Sequence, residues 1–219
     1  MPDFATQRRT MVDGQLRTYD VFNTAVIDAV LDTPREIFVA PSDRAVAYID
    51  RELPVAEGHA RRMLTPMVFA RLIQSAEILP TDSVLDVGCG SGYGAAVLAR
   101  IGGSVVALEE DDVLANLARR NLSQLGLPNA QVVTGSLVAG YPALGSYDVI
   151  VVEGALEVEP EALLAQLNPG GRLVAVWGVG RSGRASVWTK SGPTVGRRTV
   201  FDAAAPRLAA FAKPEAFAF

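Results

Sequence analysis

The chain has 219 residues, 49% of them hydrophobic, and a formal net charge of −4, which fits one domain around one substantial core. A pI of about 5.1 with scattered basic residues excludes non-specific nucleic-acid binding, and no apolar run reaches the roughly 18 residues of a membrane span. One cysteine and one histidine exclude a disulfide framework, a multi-cysteine metal site and most histidine-based triads.

The opening MPDFATQRRT holds no hydrophobic stretch that could serve as a secretory signal. A cytoplasmic protein with no nucleic-acid or membrane partner and no metal is therefore expected. The first 50 or so residues read as helical, with Ile27, Val30 and Leu31 at helical spacing and a stop at Pro34. Residues 50–65 are irregular and charged. Pro66 suits the first turn of a helix, along which Val68, Leu72, Ala76 and Leu79 form an apolar stripe. From residue 83 the period changes. SVLDVG is a short apolar run ending in glycine, the texture of a buried parallel strand, and YGAAVLARIGG is the helix after it. SVVALE is a second strand. Asp111 or Asp112 caps the next helix, whose apolar face holds Leu114, Ala118, Leu122 and Leu125 and which ends at Gly126 and Pro128. AQVVTG and YDVIVVEG are strands three and four, PEALLAQL is helical, and NPGG turns into the fifth strand, RLVAVWG. RASVWTK, RRTVFDA and EAFAF then read as strands that complete the sheet with an antiparallel edge.

This alternation specifies an α/β fold, a doubly wound and mostly parallel Rossmann-like sheet of seven strands under an N-terminal helical cap. Residues 1–219 read as one domain, with 1–65 as cap and lid, 66–180 as the α/β core and 181–219 as terminal strands.

The stretch Asp86-Val87-Gly88-Cys89-Gly90-Ser91-Gly92 lies where the first strand meets its helix, and in open α/β sheets ligands bind at the carboxyl ends of strands. Glycines there let a ligand lie against bare backbone, and the helix N-terminus offers free N–H groups to an anionic portion. Gly90, Gly92 and Ala95 loosely match a dinucleotide fingerprint, but that signal is weak alone. Asp86 separates the readings: a carboxylate at the mouth repels a pyrophosphate and suits the amine and sulfonium of S-adenosylmethionine (SAM). Glu109, at the end of the second strand, can accept from both ribose hydroxyls, a feature that SAM and NAD sites share. A bare tight turn with no ligand is the bland alternative.

VLDVGCGSGYGAAVLAR, followed by VVALEED, YDVIVVEGA and LNPGGRLVAV, resembles the class I SAM-dependent methyltransferases in order and spacing. Within them the chain looks like the protein-L-isoaspartate O-methyltransferase family, through GSGYGAAVLA, MVDGQLRTYDV, VLDTPREIFVAP, AYIDRELPV and EALLAQLNPGGRLV. The resemblance spans about residues 10–180. It implies SAM as cofactor, S-adenosylhomocysteine as product, and an acceptor that is a protein or small molecule bearing a carboxylate. Carried over, Gly88, Cys89, Gly90 and Ser91 line the methionine portion beside Asp86, Glu109 and Glu110 hold the ribose end, Ser136 and Leu137 flank the adenine, and Glu153 sits near the amino-acid end or the methyl group. Two departures stand out. The family's serine before the helix at Pro66 aligns with Leu64, followed by Thr65, and the family's acidic Gly-Asp-Gly after strand three is GSL here. Thr65 and His59 are the candidates for a catalytic role, against N-capping for Thr65 and a solvated loop position for His59. Arg61 and Arg62 read as a solvated pair, with attraction of a carboxylate as the alternative. Cys89 reads as a small residue in a tight turn, and Trp177 and Trp188 as packing residues.

Overall fold

The computed structural model describes residues 3–214. The cap begins with helix α1 (Phe4–Met11), capped by Asp3, and continues through a π-helical and a 3₁₀ turn into α2 (Thr24–Asp32), capped by Asn23. Two further 3₁₀ turns and an irregular lid lead to α3 (Pro66–Ser75). The α/β core alternates β1 (Ser83–Val87), α4 (Tyr93–Leu98), β2 (Ser104–Glu109), α5 (Asp112–Gln124), β3 (Ala130–Thr134), β4 (Tyr147–Leu156), α6 (Glu161–Ala165) and β5 (Leu167–Trp177), and the hairpin β6 (Arg184–Ser191) and β7 (Thr194–Asp202) follows. The sheet order is β3-β2-β1-β4-β5-β6-β7. Strands β1 to β5 pair in parallel, while β6 and β7 add antiparallel. The expected EAFAF strand lies outside the described residues.

Side-chain alternation along the strands divides the core in two. Val84, Val105, Ala107, Val149 and Val151 face the layer built by the cap and α3 to α5. Leu85, Val87, Leu108, Ile150 and Val152 face α6 and the C-terminal segment, including Leu163, Leu208 and Phe211. Among the described residues no helix is long and apolar enough to cross a membrane.

Two local expectations change, and a third narrows to one of its two residues. The stripe on α3 buries Val68, Leu72 and Ala76, but Leu79 is 56% exposed; the helix has already ended, and Glu77 turns the chain with a φ of 51°. Strand β5 starts upstream of NPGG rather than after it. Leu167 pairs with Tyr147, the register then shifts, and pairing resumes at Arg172 opposite Val149. Asp111, not Asp112, is the cap of α5, accepting from the amides of Val113 and Leu114. Trp188 is buried as expected, and Trp177 packs edge-on against it at 6.1 Å.

Candidate cofactor site

Three acids converge because three neighbouring strands end in phase. Strand β1 lies between β2 and β4, with Asp86 opposite Ala107 on one side and Val151 on the other. Two residues further along each neighbour come Glu109 and Glu153, on the same face as Asp86. All three are buried, Asp86 and Glu109 fully. The face they share is the one roofed by the cap and lid.

The turn after β1 is folded so that its amides point inward. Gly88, Gly90 and Gly92 all have positive φ, which side-chain-bearing residues rarely adopt. The N–H groups of Gly88 and Cys89 both donate to the Leu108 carbonyl, Gly90 donates to Glu109 Oε2 at 2.8 Å, and Gly92 donates to the Cys89 carbonyl. These four turn amides are thus already paired within the protein. Helix α4, six residues long, offers no substantial dipole site either. What the turn presents is carboxylate. Buried carboxylates suit a cationic ligand better than a pyrophosphate.

Glu109 is held from four directions by donors only: the amides of Gly90, Glu110 (3.0 Å) and Asp111 (3.3 Å), and Arg61 Nη2 at 3.2 Å. Asp86 and Glu153 have the opposite problem. With both ionised, neither Asp86 oxygen nor Glu153 Oε1 has a hydrogen-bond partner of normal geometry. Burial pushes the Asp86 carboxyl up to about 7, with a hydrogen bond from Glu153 opposing and the Glu109 charge adding to the shift. Burial, and next the Asp86 charge, raise Glu153 well above the usual carboxylate range. One proton shared by the pair, donated by Glu153 to Asp86, resolves both. Glu153 fits only because α4 carries a glycine beside it: a Cβ on Gly94 would lie 1.7 Å from Glu153 Oε1.

The other expected residues distribute unevenly. Cys89 is buried, and burial followed by the Asp86 charge raises its thiol well above the ordinary value, so it is an inert packing group. Ser91 donates its hydroxyl to the Phe38 carbonyl at 2.5 Å. Leu137 is buried beside Gly88, while Ser136 lies exposed on the rim and its hydroxyl accepts from the Ala139 amide. Glu110 is also at the rim, 3.6 Å from Arg61 Nη2. Thr65 caps α3, accepting from the Val68 amide at 3.4 Å. His59 Nδ1 accepts from the Arg61 amide, which leaves the proton on Nε2 to donate to Asp111 at 3.3 Å. Both ring nitrogens are therefore engaged, and the side chain is half-buried. The two arginines part company: Arg62 pairs with Glu52 at the surface, whereas Arg61 turns inward.

Four further residues complete the surroundings. Arg35, fully buried, donates to the carbonyls of Ala47 and Leu64 and stacks on Tyr93 at 4.7 Å, tying cap, lid and α4 together. Asn121 donates to the Ser91 carbonyl. Leu208 is brought in by the C-terminal segment, which pairs with the end of β4 at Ala155 and puts the leucine side chain against Gly88 and Gly154. Val55 of the lid packs on Gly90. Of these, only the PREIF context of Arg35 and the AYIDRELPV segment that ends at Val55 were visible in the sequence.

The glycine turn, the aligned acids and the apolar wall at Leu137 fit SAM. The sequence model of the protein-L-isoaspartate(D-aspartate) O-methyltransferase family matches residues 6–201. The chain belongs to this family. Relatives named protein-L-isoaspartate O-methyltransferase include one from Methanoculleus marisnigri, 40% identical over 169 residues, 77% of this chain and 76% of the relative. Another, from Methylorubrum extorquens, is 41% identical over 174 residues, 80% and 75% of the two chains. A solved structure of a protein-L-isoaspartate O-methyltransferase superposes with a TM-score of 0.77 at 26% identity, covering 92% of this chain and 65% of that one. A second, described as a putative family member from Plasmodium falciparum in complex with S-adenosylhomocysteine, shares the fold with a TM-score of 0.74 at 18% identity, over 94% of this chain and 98% of that one. The family uses SAM, and this member is a SAM-dependent methyltransferase.

Proposed function

We propose that the protein transfers a methyl group from SAM to the free carboxylate of an L-isoaspartyl residue in a protein or peptide. The observation that carries this reading is the in-phase convergence of Asp86, Glu109 and Glu153 beside the glycine turn. In this reading the backbone of Gly88 to Ser91 packs on the methionine portion, and Asp86 and Glu153 face its ammonium. Glu109 accepts from the ribose hydroxyls, with Glu110 at the outer edge, and Leu137 and Ser136 border the adenine. The relatives' names supply the acceptor class.

The cofactor supplies an electrophilic methyl on sulfonium. An acceptor carboxylate is already ionised at pH 7, so the protein needs no general base, which matches the lack of a free histidine at the site. The work of the chain is to align the two reactants and to exclude water. Leu64, at the position where the family serine was expected, is 1% exposed and has its carbonyl fixed by Arg35. It contributes a dry wall rather than a hydroxyl. The neighbouring Thr65 hydroxyl uses its oxygen to cap α3 and keeps its proton free to donate, and we assign it the hydrogen bond to the acceptor carboxylate.

Two measurements test this. Labelled SAM should methylate an isoaspartyl peptide and leave the aspartyl peptide of the same sequence unmodified. Thr65→Asn keeps an effective helix cap but removes the hydroxyl. It should raise KM for the isoaspartyl peptide about tenfold, the worth of one hydrogen bond to a charged group, with little change in melting temperature. An unchanged KM would remove Thr65 from the acceptor site, and no transfer to the isoaspartyl peptide would overturn the acceptor assignment.

A further inference from the structure

Arg61 stands where a ligand of Glu109 belongs. Its guanidinium donates to Glu109 Oε1 at 3.2 Å through Nη2 and approaches the Gly88 carbonyl at 3.4 Å through Nη1. The same Nη1 would be only 2.9 Å from a Cβ placed on Gly88. The side chain thus lies on the bare face of the turn, the surface that glycine keeps open, and bonds the acid assigned to the ribose. Val55 covers the adjacent glycine, 3.1 Å from a Cβ at Gly90. Both residues belong to one strap. Val55 N–H donates to the Arg61 carbonyl, Met63 N–H to Leu53, and Pro54 bridges Arg62, so residues 53–63 form a closed loop. Its tip is fastened by His59 to Asp111, the cap of α5.

We propose that this strap is an intramolecular competitor of the cofactor: Arg61 occupies the ribose-binding acid in the ligand-free protein and must leave before SAM enters. The proposal rests on the reading of Glu109 as the ribose acid. The physical reason for such a device is charge. A fully buried carboxylate without a counter-charge is costly, and in the empty protein the Arg61 guanidinium provides that charge. The ribose hydroxyls replace its hydrogen bonds to Glu109, and the cationic amine and sulfonium bring positive charge back to the acid cluster. Cofactor affinity is then reduced by the free energy needed to displace the strap.

The test is calorimetric titration of S-adenosylhomocysteine into the wild type, Arg61→Gln and Glu109→Gln, with hydrogen exchange of the lid amides in the ligand-free proteins. Arg61→Gln should bind about tenfold more tightly, and its Val55 and Met63 amides should exchange faster than in the wild type. His59→Ala, which opens only the tip, should shift both readouts the same way by a smaller factor and serves if Arg61→Gln does not fold. Unchanged or weaker binding by Arg61→Gln, with Glu109→Gln still weakened, overturns the competition and leaves the ribose assignment standing. Unchanged binding by Glu109→Gln overturns the ribose assignment itself.

Discussion

Glu109→Gln should lose about 100-fold in affinity for S-adenosylhomocysteine. Two hydrogen bonds from ribose hydroxyls to a buried carboxylate are worth roughly 3 kcal/mol together, and each 1.4 kcal/mol is a factor of ten. The substitution is nearly isosteric, so the loss reports chemistry rather than shape. It also damages the turn. Gly90 N, Glu110 N, Asp111 N and Arg61 Nη2 all donate to Glu109. A carboxylate only accepts, whereas a glutamine amide presents an NH₂ to at least one donor whichever way it is flipped. The melting temperature should therefore fall as well, by several degrees. An affinity within threefold of the wild type would show that the ribose is bound elsewhere.

Glu153→Gln should do the reverse to stability while also weakening the cofactor. The carboxyls of Asp86 and Glu153 titrate higher in the folded protein than in the unfolded chain, Asp86 at about 7 and Glu153 well above its ordinary value. Across the window from their ordinary values upward, the folded state holds more protons than the unfolded state. Stability therefore falls as pH rises through that window. Glutamine keeps a donor to Asp86 and removes the cost of holding a proton on Glu153 above its ordinary range. Relief of that protonation cost is worth on the order of 2 kcal/mol, or about 4–8 °C in a chain of this size. The gain should be largest near pH 8 and shrink toward pH 5. Affinity for S-adenosylhomocysteine should drop about tenfold, because the pair can no longer release its shared proton and meet the ligand's ammonium with two charges. A variant no more stable than the wild type at pH 8 would mean that the pair is not strained in the empty protein. This pattern, a site that is costly when empty and favourable when filled, is a common trade between stability and function.

The legible part of the molecule was the part set by local rules. Alternation of strand and helix texture from Ser83 to Trp177 gave the sheet, and Gly88, Gly90 and Gly92 between a strand and a helix marked the turn. Asp86, Glu109 and Glu153 were picked out singly at the ends of apolar runs. Their convergence depends on register, since β1 must lie between β2 and β4 for all three to meet, and no single segment encodes that order. The direction of Arg61 was illegible for a related reason. In an irregular lid there is no periodicity to orient a side chain, so the adjacent arginines look equivalent, yet the pairing of Val55 with Arg61 and of Leu53 with Met63 sends one inward and its neighbour outward. Leu79 misled because Ala76 and Glu77 carry no strong stop signal, and the helix ends in a left-handed residue at Glu77. Ser91, Asn121 and Leu208 act across long sequence separations, through the Phe38 carbonyl, the Ser91 carbonyl and the bare surface of Gly88.

The central claim is that the acid-lined glycine turn receives a cationic nucleoside. Paired calorimetric titrations of the purified protein with S-adenosylhomocysteine and with NADH test it most directly. The account predicts saturable heat with the first ligand and none with the second. Saturable NADH binding without S-adenosylhomocysteine binding would contradict it.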